Sequence, residues 1–289
     1  MQKSNPKKPI RKPQEQPPPG DEYKMSPAPV FDRTEISGTG KLANRIAVIT
    51  GGDSGIGRAV AILFAKEGAD IAIIYFNEDQ DAEDTQRIIK EKYQRNCIVI
   101  AADIRKEKNC NNAITKVIKN YSRIDILVNN AATQFESKTL EEITSKQLLT
   151  TFETNIFSMF WMTRAALPFM KEGSTIINTT SVTAYRGSSE LMDYAATKGA
   201  IVSFTRSLAQ NLIDRGIRVN AVAPGPIWTP LIVSSFSPEK VAKHGSDAPM
   251  KRAGEPVEVA PSYLFLACQD SSYITGQVMH PNGGEIVNG

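Results

Sequence analysis

The sequence contains few histidines and cysteines, and this argues against several kinds of active site. Its 289 residues include only two histidines, His244 and His280, and three cysteines, Cys97, Cys110 and Cys268. Two histidines make a histidine-ligated metal site or a Ser-His-Asp triad a poor explanation. The scattered, odd-numbered cysteines are expected to be reduced thiols of a cytoplasmic protein, and no metal site is predicted.

Long hydrophobic runs are missing as well. The apolar runs are short, such as residues 71–76, and none approaches the ~18 residues that a membrane-spanning helix needs. The first residues contain no apolar segment of the kind found in signal peptides. A net charge of +3 is too small to favour nucleic acid as the main partner. We therefore predict no membrane and no nucleic-acid partner.

Residues 1–40 differ in composition from the rest of the chain. They contain eight prolines, and five lysines or arginines lie within the first twelve residues. Such a segment cannot build a hydrophobic core and reads as a proline-rich arm or a disordered tail. If it is an arm, it could dock on a neighbouring subunit through Tyr23, Met25, Val30 and Phe31. Both readings remain open from the sequence.

From residue 41 to residue 289, strand and helix patterns alternate. The strand candidates are continuous apolar runs, as expected for parallel strands that are buried on both faces. Helical spacing of apolar residues fills the intervals, including long patterns at 145–171 and 189–214. The predicted fold class is α/β, with a single Rossmann-type doubly wound parallel sheet and helices on both faces. Strands are predicted at 45–50, 70–76, 97–101, 125–129, 174–179, 217–222 and near 277–280.

A glycine-rich loop follows the first predicted strand directly. Its sequence is Thr50-Gly-Gly-Asp-Ser-Gly-Ile-Gly57, and an amphipathic helix comes next. Glycines at these positions allow a tight turn and a close approach of the backbone to a pyrophosphate, which the helix N-terminus also attracts. The strand before and the helix after provide the structural context that this motif requires. We predict that a dinucleotide is bound here by Gly51, Asp53, Ser54, Gly55, Ile56 and Gly57.

The choice of dinucleotide depends on the end of the second strand. A carboxylate at that position favours NAD, whereas a basic residue accommodates the 2′-phosphate of NADP. The strand ends in Tyr75, Phe76, Asn77 and Glu78, with no basic residue. We therefore predict NAD, and NADP is not excluded. Further cofactor contacts are predicted after the third and fourth strands, at Asp103, Ile104, Asn130, Ala131 and Ala132.

Tyr194 and Lys198 are four residues apart, with Ser181 upstream. A helix would place the phenol and the ammonium on one face. A neighbouring ammonium favours the phenolate, so we expect the pKa of Tyr194 to fall from its usual value of about 10. Such a phenol can exchange a proton with an alcohol or a carbonyl group. A serine hydroxyl placed opposite it could hold the same substrate oxygen.

Together, these motifs resemble those of the short-chain dehydrogenase/reductase family. The resemblance covers residues 44 to the C-terminus and includes Asn129-Asn-Ala131 and Pro224-Gly225. It is greatest for bacterial members with a proline-rich N-terminal extension, similar to general stress proteins and glucose-dehydrogenase-like enzymes. Ala132 stands where the family often has glycine. The ribose-reading position lacks the usual aspartate or arginine, which leaves the coenzyme open.

The resemblance implies roles for particular residues. Tyr194 is expected to be the general acid/base, Ser181 to orient the substrate oxygen, and Lys198 to tune Tyr194 and contact the nicotinamide ribose. Asn155 is expected to hold a water that links Lys198 to solvent. The nicotinamide end is expected to be bordered by Pro224, Gly225, Ile227 and Thr229.

The resemblance also implies an activity and an assembly. We predict an NAD(P)-dependent oxidoreductase that acts on a small alcohol, sugar or carbonyl substrate, with a lid near residues 229–253. The two long helices are expected to pair in a homotetramer. The alternatives are a non-catalytic dinucleotide-sensing or scaffold protein, and a lyase or epimerase on the same scaffold.

Overall fold

The structure, a computed structural model, describes residues 8–287 and is built around one parallel sheet. The strand order is β3-β2-β1-β4-β5-β6-β7, and every neighbouring pair is parallel. The predicted doubly wound fold is confirmed. The strands are β1 Ile46–Thr50, β2 Asp70–Tyr75, β3 Cys97–Ala101, β4 Ile126–Asn129, β5 Thr175–Thr179, β6 Arg218–Val222 and β7 Val278–Met279.

Helices cover both faces of the sheet. One hydrophobic core joins the sheet to α1, α2 and α10, and includes Phe64, Ile89 and Tyr263. The other joins it to α3, α5 and α7 through residues such as Val117 and Met162. The α-helices are α1 Gly55–Lys66, α2 Asp79–Tyr93, α3 Glu107–Tyr121, α4 Ser145–Phe152, α5 Ser158–Ala166, α6 Thr183–Arg186, α7 Met192–Asn211, α8 Pro230–Val233, α9 Pro238–Lys243 and α10 Pro256–Ala267.

The sequence pattern predicts one long helix over residues 145–171, but the structure divides this segment. It consists of α4, a π-helical turn at Glu153–Phe157, α5 and a short 3₁₀ turn at Leu167–Phe169. A π turn inserts an extra residue into the helical ladder and is frequent at functional sites. Here the turn contains Asn155, which is fully buried.

Residues 8–40, which we call the arm, form no strand of the sheet and lie along the surface of their own chain. Of the four anchors considered from the sequence, Met25 is buried and Phe31 is half-buried, whereas Tyr23 and Val30 are exposed. Residues 1–7, with two of the five basic residues near the N-terminus, lie outside the described part of the chain. Between residues 8 and 287, no helix combines the length and apolarity needed to cross a bilayer.

Candidate active site

A large cleft opens at the carboxyl ends of the strands. The chain runs outward from β1 to β3 and then returns to β4 on the other side of β1. In open α/β sheets, ligands bind at such a switch point. The cleft has a volume of about 1490 Å³, which exceeds the roughly 300–1,000 Å³ of an ordinary small-molecule pocket. It has room for a dinucleotide together with a small substrate.

The glycine loop between β1 and α1 has the geometry that close phosphate binding requires. Gly51 and Gly55 adopt positive φ angles of 62° and 53°, a region that favours glycine. A Cβ on Gly57 would lie 1.8 Å from the carbonyl oxygen of Gly51, so a side chain cannot be accommodated there. Asp53, Ser54 and Ile56 line the cleft together with Gly51 and Gly55. Gly57 itself does not, and its role is to let α1 pass close to the loop.

Asn130 joins three strand ends beneath the cleft. Its amide nitrogen donates to the carbonyl oxygens of Thr50 and Gly51, each at 3.2 Å. Its amide oxygen accepts a hydrogen bond from the Thr179 hydroxyl, also at 3.2 Å. Asn130, Ala131 and Ala132 all line the cleft. The amide therefore holds the glycine loop in register with the end of β5.

The residues predicted to contact the ribose follow β2 at the far end of the cleft, and not all of them line it. Tyr75 lines the cleft, and its hydroxyl donates to the Asp79 carboxylate at 2.7 Å. Phe76 lines it as well and is half exposed, at 48%. Asn77 is exposed and does not reach the cleft, whereas the neighbouring Glu78 does. If a side chain of this pair contacts the ribose, the structure favours Glu78.

Asp103 and Ile104 lie at the end of β3, as the sequence suggested, and both line the cleft. The two carboxylate oxygens of Asp103 accept hydrogen bonds from Arg105, each at 2.8 Å. This pairing lowers the pKa of Asp103 and keeps it ionised. The Arg105 guanidinium also lies 5.4 Å from the centre of the Phe76 ring. That Asp103 accepts from the adenine amino group stays a prediction.

Ser181, Tyr194 and Lys198 converge just beyond the end of β5. The Ser181 hydroxyl lies close enough to the Tyr194 phenol to favour its ionised form and so acts to lower its pKa. Tyr194 and Lys198 lie one turn apart on α7, with Lys198 Nζ 5.2 Å from the centre of the Tyr194 ring. Lys198 Nζ also donates to the Thr179 carbonyl oxygen at 2.9 Å. All three side chains are buried and line the cleft.

Burial gives Tyr194 and Lys198 unusual pKa values. It raises the pKa of Tyr194 to about 12, although the nearby Ser181 hydroxyl acts in the opposite direction. It lowers the pKa of Lys198 to about 7. Low-polarity surroundings disfavour the charged form of each group. The expectation that Lys198 lowers the Tyr194 pKa is therefore wrong. Burial outweighs it, and a lysine that loses its proton near neutral pH carries little positive charge with which to stabilise the phenolate.

Asn155 does not line the cleft and instead locks the wall behind it. Its Oδ1 accepts from the backbone N–H of Thr133 at 2.8 Å, and its Nδ2 donates to the Thr133 carbonyl oxygen at 2.9 Å. Nδ2 also donates to the Thr197 hydroxyl on α7 at 3.1 Å. Both amide hydrogens are thus in use. The water expected at Asn155 stays a prediction, and any such water would not accept from the side-chain amide.

The loop after β6 forms the opposite wall of the cleft. Pro224, Gly225, Ile227 and Thr229 all line it, and that they border the nicotinamide stays a prediction. A Cβ on Gly225 would lie 2.7 Å from the Cα of Asn282, so this loop packs tightly on the C-terminal segment. Thr229 immediately precedes α8 and faces the glycine loop.

The lid region 229–253 contains the short helices α8 and α9. Leu231, Ile232, Phe236 and His244 line the cleft. Trp228 is fully buried elsewhere, where its indole N–H donates to the Pro27 carbonyl oxygen at 2.9 Å. Met250 is 64% exposed and does not reach the cleft. Across residues 8–287 no group of three His, Cys, Asp or Glu side chains could hold a metal ion.

Sequence reasoning did not identify two contributors to the site. Thr179, at the end of β5, anchors Lys198 through its carbonyl oxygen and Asn130 through its hydroxyl. Glu22 of the arm is buried and accepts a hydrogen bond from the backbone N–H of Gly55 at 2.5 Å. Thr179 could have been suspected from its place at a strand's carboxyl end. Nothing in the local sequence around Glu22 indicates its contact.

The geometry agrees with the similarity of this chain to known proteins. A sequence model described as enoyl-(acyl carrier protein) reductase matches residues 51–285. The chain is 55% identical to NADPH-dependent aldehyde reductase 1, chloroplastic, of Arabidopsis thaliana, over 93% of this chain and 96% of that protein. It is 52% identical to glucose and ribitol dehydrogenase of Daucus carota, over 94% and 95% of the two chains.

A solved structure is similar over most of its length. It is a short-chain dehydrogenase from Burkholderia cenocepacia J2315 in complex with NADP, with a TM-score of 0.79 and 31% identity over 84% of this chain and 98% of that one. The glycine loop, the switch-point cleft and the Ser181, Tyr194 and Lys198 cluster suit a nicotinamide dinucleotide and the transfer of its hydride. The chain is a member of the short-chain dehydrogenase/reductase family, an NAD(P)-dependent oxidoreductase.

Proposed function

We propose that the enzyme interconverts a carbonyl group and an alcohol, acting as a carbonyl reductase or alcohol dehydrogenase. The observation that carries this proposal is that the buried side chains of Ser181 and Tyr194 converge in the wall of the dinucleotide cleft. Two hydroxyl groups that face one point can hold a single substrate oxygen. A nicotinamide dinucleotide held in this cleft would supply or accept the hydride at the substrate carbon.

In the direction of reduction, Tyr194 gives the proton. With a pKa raised to about 12, its phenol is protonated at neutral pH and can donate to the carbonyl oxygen as negative charge develops there. Ser181 donates a hydrogen bond to the same oxygen and so orients the carbonyl group. The substrate carbon gains a hydride, its oxygen gains a proton, and the product is an alcohol.

Lys198 is suited to restoring the Tyr194 proton. Its pKa of about 7 allows it to exchange a proton near neutral pH. The Thr179 carbonyl oxygen holds Nζ at 2.9 Å and keeps it beside the Tyr194 ring. We propose that Asn155 supports this arrangement by tying the loop at Thr133 to α7.

The lid end of the cleft favours a polar substrate. Charged side chains line it, including Arg186, Lys240, Glu190 and Glu285. Several of them are paired: Lys240 contacts Glu190 at 2.7 Å, and Arg186 contacts Glu285 at 3.1 Å. We propose a small hydroxylated aldehyde or polyol, a class consistent with the names of the plant relatives.

Steady-state turnover tests this proposal. The enzyme should oxidise NADH or NADPH continuously with short hydroxylated aldehydes, and reduce NAD or NADP with the matching polyols. A dinucleotide sensor would bind the cofactor without turnover. A lyase or epimerase would convert substrate with no net change in dinucleotide absorbance. Either result would reject the oxidoreductase assignment for these substrates.

The proposed coenzyme is NAD. Asp53 and Glu78 line the cleft as buried acidic groups at its β2 end. The nearby cation Arg105 is engaged by Asp103. Burial raises the pKa of both groups, that of Asp53 to about 7, and in their ionised forms they disfavour the 2′-phosphate of NADP. A higher kcat/KM with NADPH than with NADH would overturn this choice, and the similarity to an NADPH-dependent aldehyde reductase makes the comparison decisive.

We also propose a homotetramer and a cytoplasmic location. Exposed apolar side chains cluster on α4, the π-helical turn and α5, including Leu149, Phe157 and Phe160 at 40–55% exposure, and such a patch suits burial between subunits. Light scattering that gives the mass of a stable monomer would reject the tetramer. The three buried, unpaired cysteines suit a reducing compartment.

A further inference from the structure

The arm contacts the lid along much of its length. The backbone N–H of Ile10 donates to the Ala242 carbonyl oxygen at 2.8 Å, and that of Gln16 donates to the Val233 carbonyl oxygen at 2.9 Å. The Ser234 hydroxyl donates to the carbonyl oxygen of Pro19 at 2.8 Å. These bonds join one strip of the arm to both short lid helices, α8 and α9.

The same strip continues to the glycine loop. One carboxylate oxygen of Glu22 accepts from the backbone N–H of Gly55, the first residue of α1, at 2.5 Å. The other accepts from the guanidinium of Arg58, one turn further along α1, at 2.6 Å. The backbone N–H of Glu22 donates to the Asp81 carboxylate on α2 at 2.6 Å. Glu22 and Arg58 are 2% and 5% exposed, so this is a built, buried contact.

The arm is also part of the cleft wall. Pro18, Pro19 and Gly20 line the cleft beside Pro230 and Ser234 of the lid. Gly20 has a φ of 89°, and a Cβ added to it would lie 2.8 Å from the Pro230 carbonyl oxygen. The arm therefore packs tightly between the lid and the phosphate-binding loop, and a side chain at residue 20 would clash with Pro230.

We propose that the arm is a clamp of the dinucleotide site, in which Glu22 sets the glycine loop and residues 16–20 hold the lid over the cleft. Glu22 takes the N–H of Gly55 and leaves the amide of Ile56, which lines the cleft in the first turn of α1, for the pyrophosphate. A loop that is already formed binds its ligand without the cost of ordering it. Glu22 is a positioning residue, since it acts through Gly55 and Arg58.

Because the arm is bonded to both elements, the clamp couples them. Displacing it from the lid at Gly20 disturbs the segment that places Glu22 on α1 two residues later. Loss of the clamp should therefore weaken dinucleotide binding and raise the KM for the carbonyl substrate. It should leave kcat at saturation close to that of the wild type, because Ser181, Tyr194 and Lys198 make no contact with the arm among the bonds described.

Two glycine variants separate the clamp from simple backbone strain. Gly20→Ala places a methyl group against Pro230, whereas Gly40→Ala has a similar positive φ of 79° and meets nothing within 4 Å. Binding of NADH and of NADPH is followed by fluorescence titration. We expect Gly20→Ala to raise Kd about tenfold, as it would if one molecule in ten kept a competent site. Gly40→Ala should stay within about twofold of the wild type.

A second measurement covers the case in which Gly20→Ala fails to fold. Limited proteolysis of residues 229–253 is compared with and without NADH in the wild type and in Glu22→Gln. We expect the dinucleotide to protect the lid in the wild type, and this protection to be largely lost in Glu22→Gln. Equal Kd values for Gly20→Ala and Gly40→Ala, or equal protection in Glu22→Gln, would overturn the clamp. Failure of the wild type to bind either dinucleotide would instead count against the oxidoreductase function.

Discussion

The arm and helix α7 both reach the cleft, but different interactions hold them. Helix α7 has a continuous ladder of backbone hydrogen bonds and buries Ile201 and Val202 in the interior. The arm has no regular structure beyond one short turn and depends on isolated contacts, such as the ion pairs Arg11–Glu255 and Lys66–Asp32. A helix distributes its stability over many residues, whereas an extended segment concentrates it in a few. A single change on α7 should therefore leave the helix in place and act through the chemistry of the side chain. A single change in the arm can detach it and should act through dinucleotide binding.

The largest effect is expected on α7. Tyr194→Phe removes the hydroxyl that exchanges the proton and should lower kcat by about 10²–10⁴-fold, the usual loss for a general acid or base. Dinucleotide binding should remain, since the ring and its packing are kept. Steady-state kinetics and fluorescence titration measure the two quantities. Near-normal turnover would remove Tyr194 from the mechanism.

The next largest effect is expected on stability, from a change at Asn155 in the wall behind the cleft. Asn155→Ala removes a fully buried amide and leaves the backbone of the half-buried Thr133 and the buried hydroxyl of Thr197 without this partner. We expect the free energy of unfolding to fall by about 2 kcal/mol, within the range for buried groups that lose a hydrogen bond. Thr115→Ala, which removes an exposed side-chain bond on α3, should change it by less than about 0.5 kcal/mol. Chemical denaturation compares the two, and equal losses would contradict the role given to Asn155.

A smaller effect should appear as a pH dependence of stability. The pKa of Lys198 is lowered to about 7 in the folded chain, against about 10.4 when unfolded. Between these values the unfolded chain binds more protons, so the lysine's contribution to stability rises with pH. Relative to Lys198→Met, the wild type should gain stability from pH 7 to pH 9 and show a constant difference below pH 6. Denaturation at a series of pH values measures this, and a flat difference throughout would show that Lys198 keeps its usual pKa.

The smallest effect lies in the arm. Lys24 pairs with the half-buried Asp21 at 2.5 Å but is itself exposed, and solvent screening leaves such a surface ion pair little effect on stability. Lys24→Ala should leave the free energy of unfolding and the Kd for NADH almost unchanged. A large loss of dinucleotide affinity would mean that the arm acts through its surface charge and not through Glu22.

The contrast between helix α7 and the arm also explains which features could be predicted from the sequence. All seven strands lie within a residue or two of their predicted positions, because strands buried on both faces are continuous apolar runs. The glycine loop and the Tyr194–Lys198 spacing were readable, since local geometry and chemistry require those residues. The π turn at Asn155 was not, because it depends on bonds to Thr133 and Thr197, distant in sequence.

The remaining differences have a similar cause. The direction of the Tyr194 pKa depends on how deeply the phenol is buried, which spacing along a helix does not reveal. Glu22 lies in a charged, proline-rich stretch with no periodicity, and its partners Gly55, Arg58 and Asp81 belong to the body of the protein. Long-range contacts of single polar side chains leave no local pattern.

The course of the arm has a consequence for how the protein is made. Arg11 pairs with Glu255, and the backbone N–H of Val257 donates to the Val30 carbonyl oxygen at 2.9 Å, so the arm rests on the start of α10. During synthesis the arm leaves the ribosome before the parts of the chain that it contacts in the folded protein have been made. Its contacts with the lid and with α10 cannot form until more than two hundred further residues have been made, whereas Glu22 can meet α1 and α2 much earlier. Its prolines and charges suit that interval, because such a composition resists premature collapse and aggregation.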